Sequence, residues 1–194
     1  MNRKINKVAV IGSGVMGSGI ACHFANIGIE VLLLDIAPNK LNENEEKLGL
    51  SLDDKKVKNR IVTEMFQRCI KSKPAPLYHK NFANRIVLGN LTDDIAKINE
   101  VDWIIEVVTE KLNIKQIVFE QIEKFRKKET LVTSNTSGIP IKLMNEGRSE
   151  DFRNHFAVTH FFNPFYYFIF FFFKQKPAYE IASGDWSSDV CSSD

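Results

Sequence analysis

Apolar positions along this chain come in two alternating spacings. "KVAVIG" (Lys7 to Gly12) is a short β-branched run that stops on a glycine, the form of a buried strand. "VMGSGIACHFANIG" (Val15 to Gly28) follows with small and apolar residues at helical spacing and also ends on glycine. "IEVLLLDI" (Ile29 to Ile36) is apolar on consecutive positions, so neither face is made for water, as in a parallel sheet covered on both sides. Strand, helix and strand fill about 30 residues, the size of one β-α-β unit.

From Lys40 to Lys80 the texture changes. Amphipathic spacing predicts one or two helices projecting from the sheet, interrupted at "KPAP" (Lys73 to Pro76). The basic excess between Lys55 and Lys80 reads as a solvated helix face; the alternative is a landing strip for a phosphate-bearing substrate. Alternation then resumes. "RIVLGN" (Arg85 to Asn90) is a strand, "DDIAKI" (Asp93 to Ile98) a short helix and "VDWIIEVV" (Val101 to Val108) a buried strand. "KLNIKQIVFEQIEKFRKK" (Lys111 to Lys128) is a long amphipathic helix and "TLVTSNTS" (Thr130 to Ser137) a strand with a polar end. "IPIKLMNEG" (Ile139 to Gly147) reads as a helix and "HFAVTHFF" (His155 to Phe162) as a strand. Repeated β-then-α order predicts an α/β fold: a doubly wound parallel sheet with a helical excursion between its second and third strands.

Composition narrows the partners. The 194 residues are 44% hydrophobic and 26% charged, a globular balance, and a net charge of +2 is too small to argue for nucleic acid. Cys22, Cys69 and Cys191 show no metal-ligand spacing and are odd in number, which fits a reduced, cytoplasmic compartment and no metal site. The N-terminus lacks the pattern of a signal peptide, and no stretch of about 20 apolar residues predicts a membrane span.

Candidate chemistry begins at "GSGVMG". A lone G-x-G-x-x-G is weak, but this one sits between a predicted strand and helix, the context that gives it meaning. Gly12 permits the tight turn, Gly14 lets backbone approach a pyrophosphate, and Gly17 lets the helix pack close. Val15 and Met16 lie between them in the same expected contact. The helix N-terminus offers N–H groups and positive dipole to the phosphates. Asp35 ends the second strand, 23 residues after Gly12. A carboxylate there accepts from the ribose hydroxyls and repels a 2′-phosphate; with no Arg following it, NAD is expected rather than NADP.

A second cluster lies at later strand ends: Glu110 and Lys115, then Asn135 and Ser137, then His160 and Asn163. Each has a purely structural alternative: Glu110 as an acid at a helix N-terminus, Ser137 as an N-cap, Asn163 as a turn former before Pro164. Ligands in open α/β sheets bind outside the carboxyl ends of the strands, so together these residues predict one cleft. His23, His79 and His155 lack such context and read as structural or solvated.

"VAVIGSGVMGSGIA", "LLLD", "IIEVVTEKLNIK", "SNTSGIPI" and "HFFNP" resemble the NAD-binding Rossmann domain of 3-hydroxyacyl-CoA dehydrogenases, chiefly of the multifunctional fatty-acid oxidation type, over roughly residues 5–164. The resemblance implies oxidation of 3-hydroxyacyl-CoA to 3-oxoacyl-CoA in β-oxidation, with NAD as cofactor. It implies His160 as general base and Ser137 bonded to the substrate oxygen. Glu110, Lys115, Asn135 and Asn163 would hold cofactor and substrate. It also implies an oligomeric or multidomain intact protein. A 3-hydroxyacid dehydrogenase of the isobutyrate or phosphogluconate kind is a second reading, but that class relies on a lysine where this chain offers His160. A non-catalytic NAD-binding module is a third.

The likeness fails after Pro164. The family places a His-orienting glutamate where this chain has Phe172, and the helical domain that normally follows is missing. "DWSSDVCSSD" (Asp185 to Asp194) is the translation of GAC TGG AGT TCA GAC GTG TGC TCT TCC GAT, which resembles a short-read sequencing adapter. "KQKPAYEI" (Lys174 to Ile181) differs by one residue from the translation of the adapter's other end, and Phe165 to Phe173 is what a T-rich stretch encodes. The expected division is therefore an NAD-binding domain at 1–164 and a non-native tail at 165–194, with the chain inactive as it stands.

Overall fold

Val8, Ala9, Val10 and Ile11 have no exposure on either side of their strand, because each successive side chain enters a different core. The computed structural model describes residues 4–161 and, for Phe168–Phe171, the backbone alone. Strands β1 (Lys7–Ile11), β2 (Glu30–Asp35), β3 (Ile86–Asn90), β4 (Trp103–Glu106), β5 (Leu131–Ser134) and β6 (Phe156–Phe161) are all parallel; β7 (Phe168–Phe171) runs antiparallel to β6. Their order is β3-β2-β1-β4-β5-β6-β7. The order reverses between β1 and β4, which opens a crevice at the carboxyl ends of those two strands.

One face of the sheet packs Val8, Val10, Leu33 and Ile105 against Ile20, Cys22 and Phe24 of α1 (Val15–Asn26) and against Val62 and Phe66 of the excursion. The other packs Ala9, Ile11, Leu32, Leu34 and Ile104 against Val118, Phe119 and Ile122 of α5 (Leu112–Phe125). Two covered faces explain why "VLLL" has no polar alternation.

The excursion holds three helices rather than one or two: α2 (Glu43–Lys47), α3 (Lys55–Lys58) and α4 (Arg60–Ile70). A capping box starts α2: Glu45 N donates to Asn42 Oδ1 at 2.9 Å and Asn42 N to Glu45 Oε2 at 2.8 Å. Lys55, Lys56, Arg68, Lys71, Lys73 and Lys80 are exposed, in keeping with a solvated basic face, while Lys58 pairs with Asp93 at 3.1 Å and Arg60 with Glu45. The short helix expected at Asp93–Ile98 is a 3-10 turn at Ile95–Glu100.

The helix expected over Ile139–Gly147 shrinks to α6 (Ile141–Met144), and a further helix, α7 (Glu150–Asn154), follows. Gly147, at φ 73°, ends the first stretch, and the Ser149 hydroxyl accepts from Phe152 N at 3.2 Å to start the second. Phe152 holds α7 down by stacking on Phe156. β7 falls inside the aromatic stretch set apart by the sequence reading, with Val158 opposite Phe171 and Phe161 opposite Phe168. Asn163, Phe172 and the adapter-like residues 174–194 lie outside the described residues. Among the described residues, no helix is long and apolar enough to cross a membrane.

Two glycines of the first motif are dictated by packing. Gly12 has φ 103°, and a Cβ on it would lie 2.6 Å from Val107 O; a Cβ on Gly17 would lie 1.8 Å from Gly12 O. A Cβ on Gly14 would meet no atom within 4 Å. Gly17→Ala should therefore destabilise the chain by about 1–3 kcal/mol through overpacking, whereas Gly14→Ala should stay within about 0.5 kcal/mol. Urea unfolding of both variants checks this; equal losses would contradict it.

Candidate active site

The turn after β1 is held from the side by Asp35. Ser13 donates its N–H at 2.6 Å and its hydroxyl at 2.5 Å to Asp35 Oδ2, and Ile36 N donates to Oδ1 at 2.7 Å. Ser18 Oγ ties the turn from below by donating to Ser13 O at 2.6 Å. Three of the roughly four acceptor positions of Asp35 are thus in use. A ribose hydroxyl would take the remaining position or replace the Ser13 hydroxyl.

The turn suits a dinucleotide. Gly14 is exposed and opens α1 with no side-chain cap, so first-turn N–H groups of this 12-residue helix face outward without an intrahelical acceptor. Open space over the Gly14 Cα leaves room for a pyrophosphate. Val15 and Ile36, 73% and 59% exposed, offer apolar surface on the two flanking segments, and Met16 packs against the core below.

Beside this turn, a buried polar network joins the next strand ends. Register aligns Ile11 with Glu106 and Glu106 with Ser134. Glu106 and Lys115 have no exposed side-chain surface, and Lys115 Nζ lies 2.8 Å from Glu106 Oε1 and 2.9 Å from Oε2. Glu106 also accepts from Val108 N at 2.7 Å and from the Ser134 hydroxyl at 2.5 Å. Beyond its two hydrogen bonds to Glu106, Lys115 Nζ forms an ion pair with Glu110 Oε2 at 3.4 Å. Glu110 Oε1 accepts from the Thr136 hydroxyl, from Ser137 N at 3.1 Å and from Gly138 N at 3.2 Å. Asn135 N donates to Glu106 O at 2.8 Å, while its side-chain Oδ1 accepts from Phe161 N at 3.0 Å. The network therefore runs from α5 through β4 and β5 to the residue after His160.

Strand alternation sets the direction of His160. The Thr159 hydroxyl donates to Thr133 Oγ1 at 3.2 Å, and Phe161 packs edge-on against Phe24 of α1. The neighbours Val158 and His160 therefore lie on the other face, the α5 side, where Val158 joins Ala9 and Ile104. Glu106 and Ser134 lie on that face too. His160 is half-buried, and Ser137 is exposed on the loop that Glu110 holds.

Of the residues expected from the sequence, Gly12, Gly14, Gly17 and Asp35 form the first group, and Glu110, Asn135, Ser137 and His160 gather at adjoining strand ends. Lys115 joins them from beneath: it presents no surface to a ligand and spends its charge on two carboxylates. Ser13, Glu106, Ser134 and Thr136 were not singled out. The signal for Glu106 lies in "WIIEVV": an acid inside a buried strand needs a cation, and Lys115 is on the next element. Among the described residues, no group of three or more His, Cys, Asp or Glu is placed to hold a metal.

Residues 7–170 match the family model described as the 3-hydroxyacyl-CoA dehydrogenase, NAD binding domain. A protein of Bacillus subtilis named as a probable 3-hydroxyacyl-CoA dehydrogenase is 53% identical over 84% of this chain and 21% of its own length. A protein of Deinococcus radiodurans with the same name is 45% identical over 83% of this chain and 42% of its own length. The chain thus spans between about a fifth and two fifths of these curated relatives. Among solved structures, 3-hydroxybutyryl-CoA dehydrogenase from Escherichia coli K12 aligns with a TM-score of 0.57 and 29% identity, covering 84% of this chain and 30% of that one.

Burial raises the Glu110 pKa, but the Thr136 hydroxyl, the Gly138 N–H, the Lys115 charge and the Ser137 N–H outweigh it and hold the carboxyl below its ordinary 4.5. A depressed folded value means that Glu110 stabilises the fold fully above about pH 4.5 and loses that contribution as pH falls through the folded value. Glu110→Gln should lower the melting temperature at neutral pH, and its difference from the parent chain should close on acidification. A difference that persists unchanged into acid would contradict the role given to the carboxylate.

Proposed function

The chain belongs to the 3-hydroxyacyl-CoA dehydrogenase NAD-binding domain family, and we propose that it is the cofactor-binding part of an enzyme that oxidises L-3-hydroxyacyl-CoA to 3-oxoacyl-CoA in fatty-acid β-oxidation. The cofactor is NAD. Support for the reaction comes chiefly from His160, which shares one face and one end of the sheet with Glu106, Ser134 and the loop that presents Ser137, next to the Gly12–Gly17 turn.

Bound NAD supplies the acceptor for the hydrogen that leaves carbon 3 of the substrate with its bonding pair. The rest is done by side chains and backbone of this chain. First-turn N–H groups of α1 hold the diphosphate, and Asp35 holds the adenine ribose and repels a 2′-phosphate. The His160 imidazole takes the proton of the 3-hydroxyl, a general-base role that suits this side-chain type. The Ser137 hydroxyl donates to the same oxygen and keeps it in line with His160. Glu110 positions that serine through the Ser137 and Gly138 N–H groups. Asn135 fixes the end of β6, and Lys115 supports Glu110 from below. Asn163, directly before Pro164, is assigned to the cofactor on the family pattern.

Residues 1–164 are the functional domain and 165–194 a non-native tail. Phe172 cannot orient an imidazole as a carboxylate does, so the 194-residue chain is expected to bind cofactor without turning over substrate. The whole enzyme would be cytoplasmic and multidomain or oligomeric, with an acyl-CoA substrate.

Asp35→Ala should weaken NADH binding by on the order of 1–3 kcal/mol, through loss of charge-assisted hydrogen bonds, and should erase the preference over NADPH. Fluorescence titration of both cofactors reads this; an unaltered preference would remove Asp35 from the site. In a protein that carries the remaining domain and the glutamate at position 172, His160→Gln should cut turnover by about 10²–10⁴-fold while leaving NADH affinity nearly unchanged. Near-normal turnover would show that His160 is only a strand-end residue.

A further inference from the structure

Ser13, between the first two glycines of the motif, is the one polar side chain of that turn and has no exposed surface. It therefore cannot touch a bound cofactor. Its backbone is pinned from two sides: Ser18 Oγ donates to Ser13 O at 2.6 Å, and the preceding residue, Gly12, donates its N–H to Leu34 O at 2.8 Å. From that fixed platform the Ser13 N–H and hydroxyl both donate to one oxygen of Asp35, Oδ2, at 2.6 and 2.5 Å. The other oxygen, Oδ1, accepts from Ile36 N at 2.7 Å, and Ile36 is 59% exposed, so Oδ1 is the oxygen nearer solvent. The main chain of Asp35 is held as well, since Leu91 N donates to Asp35 O at 2.9 Å.

We propose that Ser13 is a positioning residue that sets cofactor specificity: its buried hydroxyl holds the Asp35 carboxylate in one orientation, so that Oδ1 is presented to the adenine ribose and the charge cannot turn aside to admit a 2′-phosphate. This role rests on the placement of Asp35 at the ribose, and adds to it the residue that makes the selection effective.

A carboxylate offers roughly four acceptor positions. Ser13 fills those on Oδ2 and Ile36 one on Oδ1, which leaves a position on Oδ1 for a ribose hydroxyl. The ribose then completes the set rather than displacing the serine. An aspartate side chain is otherwise free to change between staggered rotamers, but leaving the present one forfeits both bonds from Ser13, each made to a charged oxygen. A carboxylate fixed in this way meets a ribose hydroxyl without paying to be ordered, and it meets a 2′-phosphate with its charge in place. With the hydroxyl gone, only the Ser13 N–H remains on Oδ2, and the carboxylate can pivot about it. Attraction to the ribose of NADH and repulsion of the extra phosphate of NADPH both weaken. A serine that merely supported the turn would act differently, because the two cofactors carry the same diphosphate and would lose affinity together.

The test titrates NADH and NADPH by fluorescence against the full chain, Ser13→Ala, Asp35→Ala and the double variant. In Ser13→Ala the NADH Kd should rise about tenfold, the low end for a hydrogen bond to a charged group, while the NADPH Kd holds or falls. In the Asp35→Ala background the same substitution should change neither Kd by more than about twofold. Equal losses for both cofactors would make Ser13 a support for the turn alone and overturn the inference. So would an unchanged NADH affinity, or a loss of the same size with Asp35 absent. A parent chain that binds both cofactors alike, or an Asp35→Ala chain that keeps the parent's preference, removes Asp35 from the ribose and the inference with it. Ser13→Ala takes away one oxygen and adds no atom; should it still fail to fold, Ser13→Gly, which lacks the same hydroxyl, is held to the same outcomes.

Discussion

A carboxylate and an ammonium with no exposed surface face each other between β4 and α5, and the end of the sheet is arranged around satisfying them. Glu106 and Lys115 are bonded at 2.8 and 2.9 Å. Removing either partner from such a pair strands a buried charge, at a cost of about 3–5 kcal/mol. The pair is tolerated because both charges have further partners: Glu106 also accepts from Val108 N and Ser134, and Lys115 is in ion-pair range of Glu110. Complete satisfaction of a buried network makes one geometry strongly preferred over others. Here that geometry fixes the main chain of β4, the start of the Ser137 loop and, through Asn135, the residue beside His160.

The other half of the cleft is set by steric limits rather than charge. A Cβ on Gly17 would collide with Gly12 O and one on Gly12 with Val107 O, so neither glycine tolerates a side chain, and Asp35 pulls the turn sideways through Ser13. Both halves hang from adjacent parallel strands, β1 and β4, whose register places Ile11 beside Glu106. A cofactor lying across the switch point would therefore touch a sterically locked turn on one side and an electrostatically locked loop on the other. Their relative position is the register of two central strands, among the stiffest parts of such a fold.

Much of this architecture is legible in the chain because its signals are local. "KVAVIG" and "EVLLLD" declare doubly covered strands by their unbroken apolar runs, and the glycines between them declare the turn. Strand ends with Glu110, Ser137 and His160 follow from topology alone. The short helices α2, α6 and α7 are less legible, since single turns depend on caps such as Asn42 and Ser149 rather than on a periodic face. Lys115 shows where residue-by-residue reading stops: its place in the chain says that it is near the cleft, but only packing turns it inward. Glu106 carries a signal in its apolar surroundings, yet its partner Ser134 comes from tertiary contact.

The claim that a buried ion pair positions the Ser137 loop is open to one direct measurement: amide hydrogen exchange in Lys115→Met, with β1 as an internal reference for global stability. If the pair holds the loop, amides from Ser134 to Gly138 lose protection well beyond any loss in β1, and NADH restores only part of it. Unchanged protection at Ser137 and Gly138 relative to β1 would mean that the loop holds its own shape and that Lys115 serves the core alone.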